Sequence, residues 1–119
     1  RPVVLAAEFA LRAGDRRELE AKVSSHVAQR KASQPPGATC GSVFKNPPGD
    51  YAGRLVEAAG LKGKRNGGAE ISSVHANFFI NQGHATATDV KALIEEARLV
   101  VQAQFGISLE LEIELMGEW

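Results

Sequence analysis

The run "DVKALIEEARLVVQAQFGISLELEIELM" (residues 89–116) changes its apolar period once, at Gly106. Before the glycine, Val90, Leu93, Ile94, Ala97 and Val101 fall on one face of a helix, which Thr86 or Thr88 would cap. After it, Ile107, Leu109, Leu111, Ile113 and Leu115 alternate with Ser108, Glu110, Glu112 and Glu114, the pattern of a half-buried strand. A one-sided helix followed by a one-sided strand needs a shared core. The expected fold class is therefore α+β, a small mixed sheet packed by about three helices.

The rest of the chain supplies the other elements. "VVLAAEFALR" (residues 3–12) alternates like a strand, and "AGD" then turns the chain. Asp15 is placed to cap a helix on which Leu19, Val23 and Val27 share one face. Residues 33–40, with Pro35, Pro36 and Gly37, read as a stiff loop, and Ser42–Asn46 reads as extended. "PPGD" makes a turn, Asp50 can cap a short helix over "YAGRLVEAAG", and Gly60 closes it. A glycine-rich loop precedes strand candidates at Ala69–Ile71 and Asn77–Asn81, and Gly83 turns the chain. The expected boundaries are a strand and turn over 1–14 and a domain over 15–119.

Composition excludes several classes. Fourteen basic residues balance fourteen acidic ones and aromatics are sparse, which argues against a nucleic-acid partner. No apolar run reaches the roughly 20 residues that span a bilayer, so no membrane partner is expected. The single Cys40 cannot form an internal disulfide and favours a reducing, cytoplasmic setting. His26, His75 and His84 have no metal-ligand spacing, so no metal is expected.

Three clusters carry candidate chemistry. "GSVFKNPPGD" (residues 41–50) holds Ser42, Lys45 and Asn46 in a stretch with little freedom. In an extended segment Ser42, Phe44 and Asn46 point one way, while Val43 and Lys45 point the other. The plain alternative is a turn in which Ser42 and Asn46 bond nearby backbone. "GLKGKRNGG" (residues 60–68) offers open amides and the cations Lys62, Lys64 and Arg65, which suit phosphate or equally a solvated surface loop. Glu110, Glu112 and Glu114 share one side of the last strand, and such a row normally faces water unless one turns into a cleft.

Taken in order, G-S-x-F-K-N-P, A-G-L-K-G, G-G-A, H-A-N-F-x-x-N and the terminal alternating strand resemble the C-terminal, substrate-binding domain of UDP-N-acetylenolpyruvoylglucosamine reductase (MurB). That family implies a flavoenzyme of peptidoglycan synthesis. It binds FAD in N-terminal domains, takes a hydride from NADPH, and passes it to the enolpyruvyl double bond of UDP-N-acetylglucosamine enolpyruvate. The resemblance implies that Ser42 protonates the resulting carbanion and that Glu112 stabilises the enolate-like intermediate. It implies substrate contacts at Asn46, Lys62 and His75, with either Arg30 or Lys31 as a further basic contact, and it moves the glycine-rich loop towards phosphate. Residues 1–14 would then lead out of the preceding flavin-binding region, and the chain without its flavin domains would not turn over. Glu114 stands where the family usually has an arginine. The alternative from another class is a stand-alone, non-catalytic module that binds a nucleotide sugar or a protein.

Overall fold

The computed structural model describes residues 3–117; the first two and last two positions, which the expected boundaries take in, lie outside it. The chain divides into two compact units, Arg1–Arg30 and Lys31–Trp119.

In the first unit, residues 3–12 do not form the expected strand. A strand exists only through ladder bonds to a neighbour, and no strand of the described residues pairs with this stretch. Val3, Val4, Leu5, Phe9 and Leu11 are accordingly exposed. Helix α1 (Arg16–Ser33) begins as its sequence demands, with the Glu18 N–H donating to Asp15 Oδ1 at 3.0 Å. Its apolar face is real in spacing but not in burial, for α1 has no buried residue and Leu19, Val23 and Val27 are exposed.

The second unit holds β1 (Ala38–Ser42), α2 (Ala52–Ala58), β2 (Arg65–Asn66), β3 (Ala69–Ile71), β4 (Phe78–Asn81) and α3 (Ala87–Phe105). The sheet order is β1-β4-β3-β2, and each pairing is antiparallel. The α+β class holds, but the sheet is antiparallel where a mixed one was expected. Short turns join β2 to β3 and β3 to β4, and a parallel neighbour would need a crossover of about a dozen residues.

Helix α3 packs on β2 and β3, and α2 packs on α3. Leu93, Ile94, Ala97 and Val101 of α3 are fully buried, as their period predicts. They join Val43, Phe44, Leu55, Ile71, Phe79 and Leu109 in one core. Each such large side chain contributes about 1.5–3 kcal/mol on burial. The Phe44 and Phe79 rings meet edge to face at 6.0 Å. Thr86 is the cap of α3, in a capping box with Asp89, and Gly106 ends the helix in the left-handed conformation.

Three local expectations are corrected. β1 starts at Ala38, inside the stretch read as a loop, because β4 is available as its neighbour. The terminal run after Gly106 keeps its burial alternation, with Leu109 buried and Glu110 and Glu112 exposed, but it pairs as a single bridge, Phe44 to Leu111. Asp50 does not cap α2. The Asp50 carboxylate is occupied by the Tyr51 N–H and by Arg54, and the Ala52 N–H donates instead to Asn46 Oδ1 at 3.0 Å. At the other end the helix closes as expected, with Gly60 N–H on the Glu57 carbonyl and Leu61 N–H on the Val56 carbonyl.

Candidate functional site

A cavity of about 550 Å³ opens beside β1 and α2 and is lined by Ser42, Phe44, Lys45, Asn46, Tyr51, Gly53, Arg54, Glu57, Val74, His75, Ala76, Asn77 and Glu112. Its size falls within the range of small-molecule pockets. Five residues singled out in the sequence, Ser42, Lys45, Asn46, His75 and Glu112, come together here from three segments far apart in the chain.

Ser42 ends β1 just after a register shift between Thr39 and Ser42. Gly41 carries the irregularity with φ +84°, a conformation that favours glycine, and its N–H donates to Thr39 Oγ1. A bulge of this kind re-aims the next side chain, which gives the G-S pair a physical reason. The Ser42 hydroxyl is exposed and has no hydrogen-bond partner among the described residues. The turn alternative therefore fails for Ser42. For Asn46 it holds in part, since its carbonyl oxygen serves the first turn of α2.

Backbone bonds fix the next residues on both flanks. The Val43 N–H donates to the Asn77 carbonyl at 2.8 Å, and the Lys45 N–H donates to the Glu110 carbonyl at 2.9 Å. The Glu112 N–H donates to the Val43 carbonyl at 2.9 Å. This register sets Glu112 into the cavity lining, whereas the Glu110 carboxylate pairs with Lys45 at 3.5 Å on the exposed surface.

His75 is half-buried between α2 and the loop before β4. Its Nδ1 accepts the Asn77 N–H at 3.2 Å, so the neutral ring carries its proton on Nε2. Its ring meets the Phe78 edge at 4.9 Å. Gly53 makes room for it, because a Cβ there would lie 2.8 Å from His75 Cε1.

The α2 wall was not singled out in the sequence. Arg54 is bonded to Asp50, with its Nε on Oδ1 at 2.6 Å. The Arg54 guanidinium, and then the Tyr51 N–H, lower the Asp50 pKa to about 2. The same bond raises Arg54 further above its usual range. The only signal in the sequence was the i,i+4 spacing of an acid and a base at a helix start, which is common on solvated helices.

Three expected contacts are not among the lining residues. Lys62 is outside the lining and pairs with Glu57, which is in it, at 2.8 Å. Arg30 and Lys31 are exposed positions in the last turns of α1. The glycine-rich loop is largely engaged within the domain. Lys64 pairs with Glu96 and Arg65 with the buried Glu70. The Gly68 N–H donates to Asp89, whose pKa is lowered by the Thr86 N–H and then by that of Gly68. Cys40, His26 and His84 are exposed. Among the described residues no helix is long and apolar enough to cross a membrane, and no cluster of His, Cys, Asp or Glu could hold a metal.

The chain is thus an antiparallel α+β domain that brings a hydroxyl, an amide and a carboxylate to the lining of one cavity. The family model for the UDP-N-acetylenolpyruvoylglucosamine reductase C-terminal domain matches residues 30–116, and the chain belongs to that family. It is 56% identical over 97% of its length to the UDP-N-acetylenolpyruvoylglucosamine reductase of Chloroflexus aurantiacus, of which it covers 39%. It is 51% identical to UDP-N-acetylenolpyruvoylglucosamine reductase 2 of Symbiobacterium thermophilum, over 97% of this chain and 38% of that protein. The crystal structure of MurB from Thermus caldophilus superposes with a TM-score of 0.74 at 41% identity, covering 88% of this chain and 37% of that one. The chain thus spans about two fifths of the length of these relatives.

Proposed function

We propose that this chain is the substrate-binding and proton-donating part of a flavin-dependent reductase that converts UDP-N-acetylglucosamine enolpyruvate to UDP-N-acetylmuramate in peptidoglycan synthesis. The observation that carries the proposal is the convergence of Ser42, Asn46, His75 and Glu112 on one cavity. The lining carries charged and amide groups that can hydrogen-bond a sugar nucleotide. FAD and the NADPH site are assigned to the N-terminal domains that the relatives' additional length would hold, with residues 1–14 leading out of them. When bound there, the flavin supplies the hydride, and the protein works in the cytoplasm.

The residues of this chain handle the protonation half of the reaction. Hydride addition to the enolpyruvyl carbon–carbon double bond leaves an electron pair on the carbon beside the carboxylate, delocalised as an enolate. The Ser42 O–H gives its proton to that carbon, forming the C–H bond, and the alkoxide is reprotonated from solvent. A hydroxyl is a weak acid in water, but transfer to a strongly basic carbon centre is downhill when the two are held in contact. Glu112 lines the same cavity and is assigned to stabilise the enolate-like intermediate. Asn46 uses its carboxamide nitrogen, which has no partner among the described residues, to bind the uridine diphosphate portion. His75 donates from Nε2 to the same part of the substrate, and Lys62, together with Arg30 or Lys31, supplies positive charge for the phosphates.

The test is the full-length protein. A yellow enzyme whose NADPH oxidation requires UDP-N-acetylglucosamine enolpyruvate is expected. A colourless protein with no such activity would leave a non-catalytic nucleotide-sugar or protein-binding module instead.

A further inference from the structure

Asn77 is buried, 3% exposed, and stands immediately before β4. Its carboxamide grips one residue at two points. Oδ1 accepts the Phe44 N–H at 2.9 Å, and Nδ2 donates to the Phe44 carbonyl at 2.8 Å. In an antiparallel ladder two opposed residues exchange such a pair of bonds through their backbones. Here the Asn77 carbonyl still takes the Val43 N–H, but the chain before it is the loop in which the Phe78 N–H bonds the His75 carbonyl and Ser72 Oγ accepts the Val74 and His75 N–H groups. A side chain therefore takes the place of a strand at the point where β1 has ended.

The position of that grip matters to the site. Residues 43–45 bond the terminal segment on one flank through Glu110 and Glu112, and Asn77 on the other. Ser42 precedes the clamped pair Val43–Phe44, and Glu112 is registered against Val43. The Asn77 N–H also bonds His75 Nδ1 and so fixes that ring's tautomer. The buried Asn77 side chain thus joins the His75 segment to the Ser42 segment, and the Ser42 segment in turn holds Glu112 through Val43. Among natural side chains of this size only a carboxamide both donates and accepts in one plane; a carboxylate would face the Phe44 carbonyl with a second acceptor, and an apolar isostere would leave two buried backbone groups unpaired.

Building on the site assigned above, we propose that Asn77 is a positioning residue for proton delivery, holding the Ser42 hydroxyl in register with Glu112 through its two-point bond to Phe44. Proton transfer from a weak acid depends steeply on contact distance, and a misplacement of about 1 Å can cost on the order of 10²-fold in rate.

The experiment uses the full-length reductase and a double-mutant cycle. In Asn77→Asp, and in the milder Asn77→Ser, which keeps one hydrogen-bonding group, kcat for substrate reduction should fall about 10- to 100-fold. The rate of flavin reduction by NADPH should stay unchanged, which a merely unfolded domain would also allow. The second readout is therefore coupling: the Asn77→Ser, Ser42→Ala double variant should lose no more than Ser42→Ala alone, with substrate KM close to the parent's. Losses that multiply, a KM rise without a kcat fall, or unaltered kcat in both Asn77 variants would each overturn the role. Normal turnover in Ser42→Ala would instead remove the site assignment itself, so the two failures are distinguishable.

Discussion

The pocket wall at 42–46 and the loop at 60–68 look alike in sequence, each setting cations beside glycines or turn residues, but the fold treats them in opposite ways. In the wall, backbone bonds to Asn77, Glu110 and Glu112 fix the chain while the Ser42 hydroxyl has no partner among the described residues. In the loop, Lys64 and Arg65 are themselves engaged away from the cavity lining, Lys64 with Glu96 and Arg65 with Glu70, whereas Lys62 pairs with the cavity-lining Glu57. A group whose bonding is met inside the domain can hold the fold, whereas a group left over on a rigid frame can meet a ligand. Substitutions in the wall should therefore appear in turnover, and those at Lys64 and Arg65 in stability.

The largest effect is expected at Ser42. In the full-length protein Ser42→Ala should lower substrate reduction by roughly 10²–10⁴-fold while leaving flavin reduction by NADPH intact. Stopped-flow traces of the two half-reactions read both, and equal slowing of the two would place Ser42 outside proton transfer. Next comes the choice between carboxylates. Glu112→Gln should reduce kcat by about 10²–10³-fold. Glu110→Gln, which only opens an exposed pair with Lys45, should change stability by less than about 1 kcal/mol and leave kcat near the parent's. Similar kcat losses for the two would mean that the strand register delivers the wrong glutamate.

The loop tests the other half of the contrast. Arg65→Met strips the buried Glu70 of its guanidinium, leaving the Gln82 amide, and should cost about 1–3 kcal/mol in urea unfolding. Lys64→Met, at an exposed pair, should cost less than about 1 kcal/mol. If instead Lys64→Met raises the substrate KM strongly while stability holds, the loop binds phosphate and the contrast breaks.

The smallest effect concerns Asp50. Its folded pKa of about 2 lies below the ordinary aspartate value. The bond to Arg54 therefore contributes fully above the unfolded value of about 3.9 and is lost as pH falls through about 2. The Asp50 carboxyl carbon, followed by NMR, should titrate with a midpoint near 2. A midpoint at the ordinary aspartate value would mean that Arg54 is available to the cavity.

Two alternating stretches show what a pattern alone can carry. Residues 3–12 and 107–115 both alternate, yet only the second buries its apolar side, with Leu109 at 1% exposure against 92% for Leu5. Alternation specifies which side of a strand wants a core, but the ladder bonds come from a neighbour. β1 was hidden for the complementary reason, because prolines and glycines around residues 35–41 masked a strand that β4 supports. Asn77 stands in the H-A-N-F motif, but its role escaped notice because a buried carboxamide bridging two segments leaves no local period or spacing.

Short-range chemistry was enough to specify α3 with its end and its buried face, the positions of β3 and β4, and the family motifs that hold Ser42, Asn46, His75 and Glu112, and to narrow the cap of α3 to Thr86 or Thr88. Period, capping and turn conformation act within a few residues, so they are written along the chain. Other features needed the folded molecule: the antiparallel sheet, the entry of Glu112 rather than Glu110 into the cavity, the engagement of the loop cations by carboxylates, and the tie that Asn77 makes across the site. Each of these is a contact between segments distant in the chain, and its energy exists only once the core has brought them within hydrogen-bond distance.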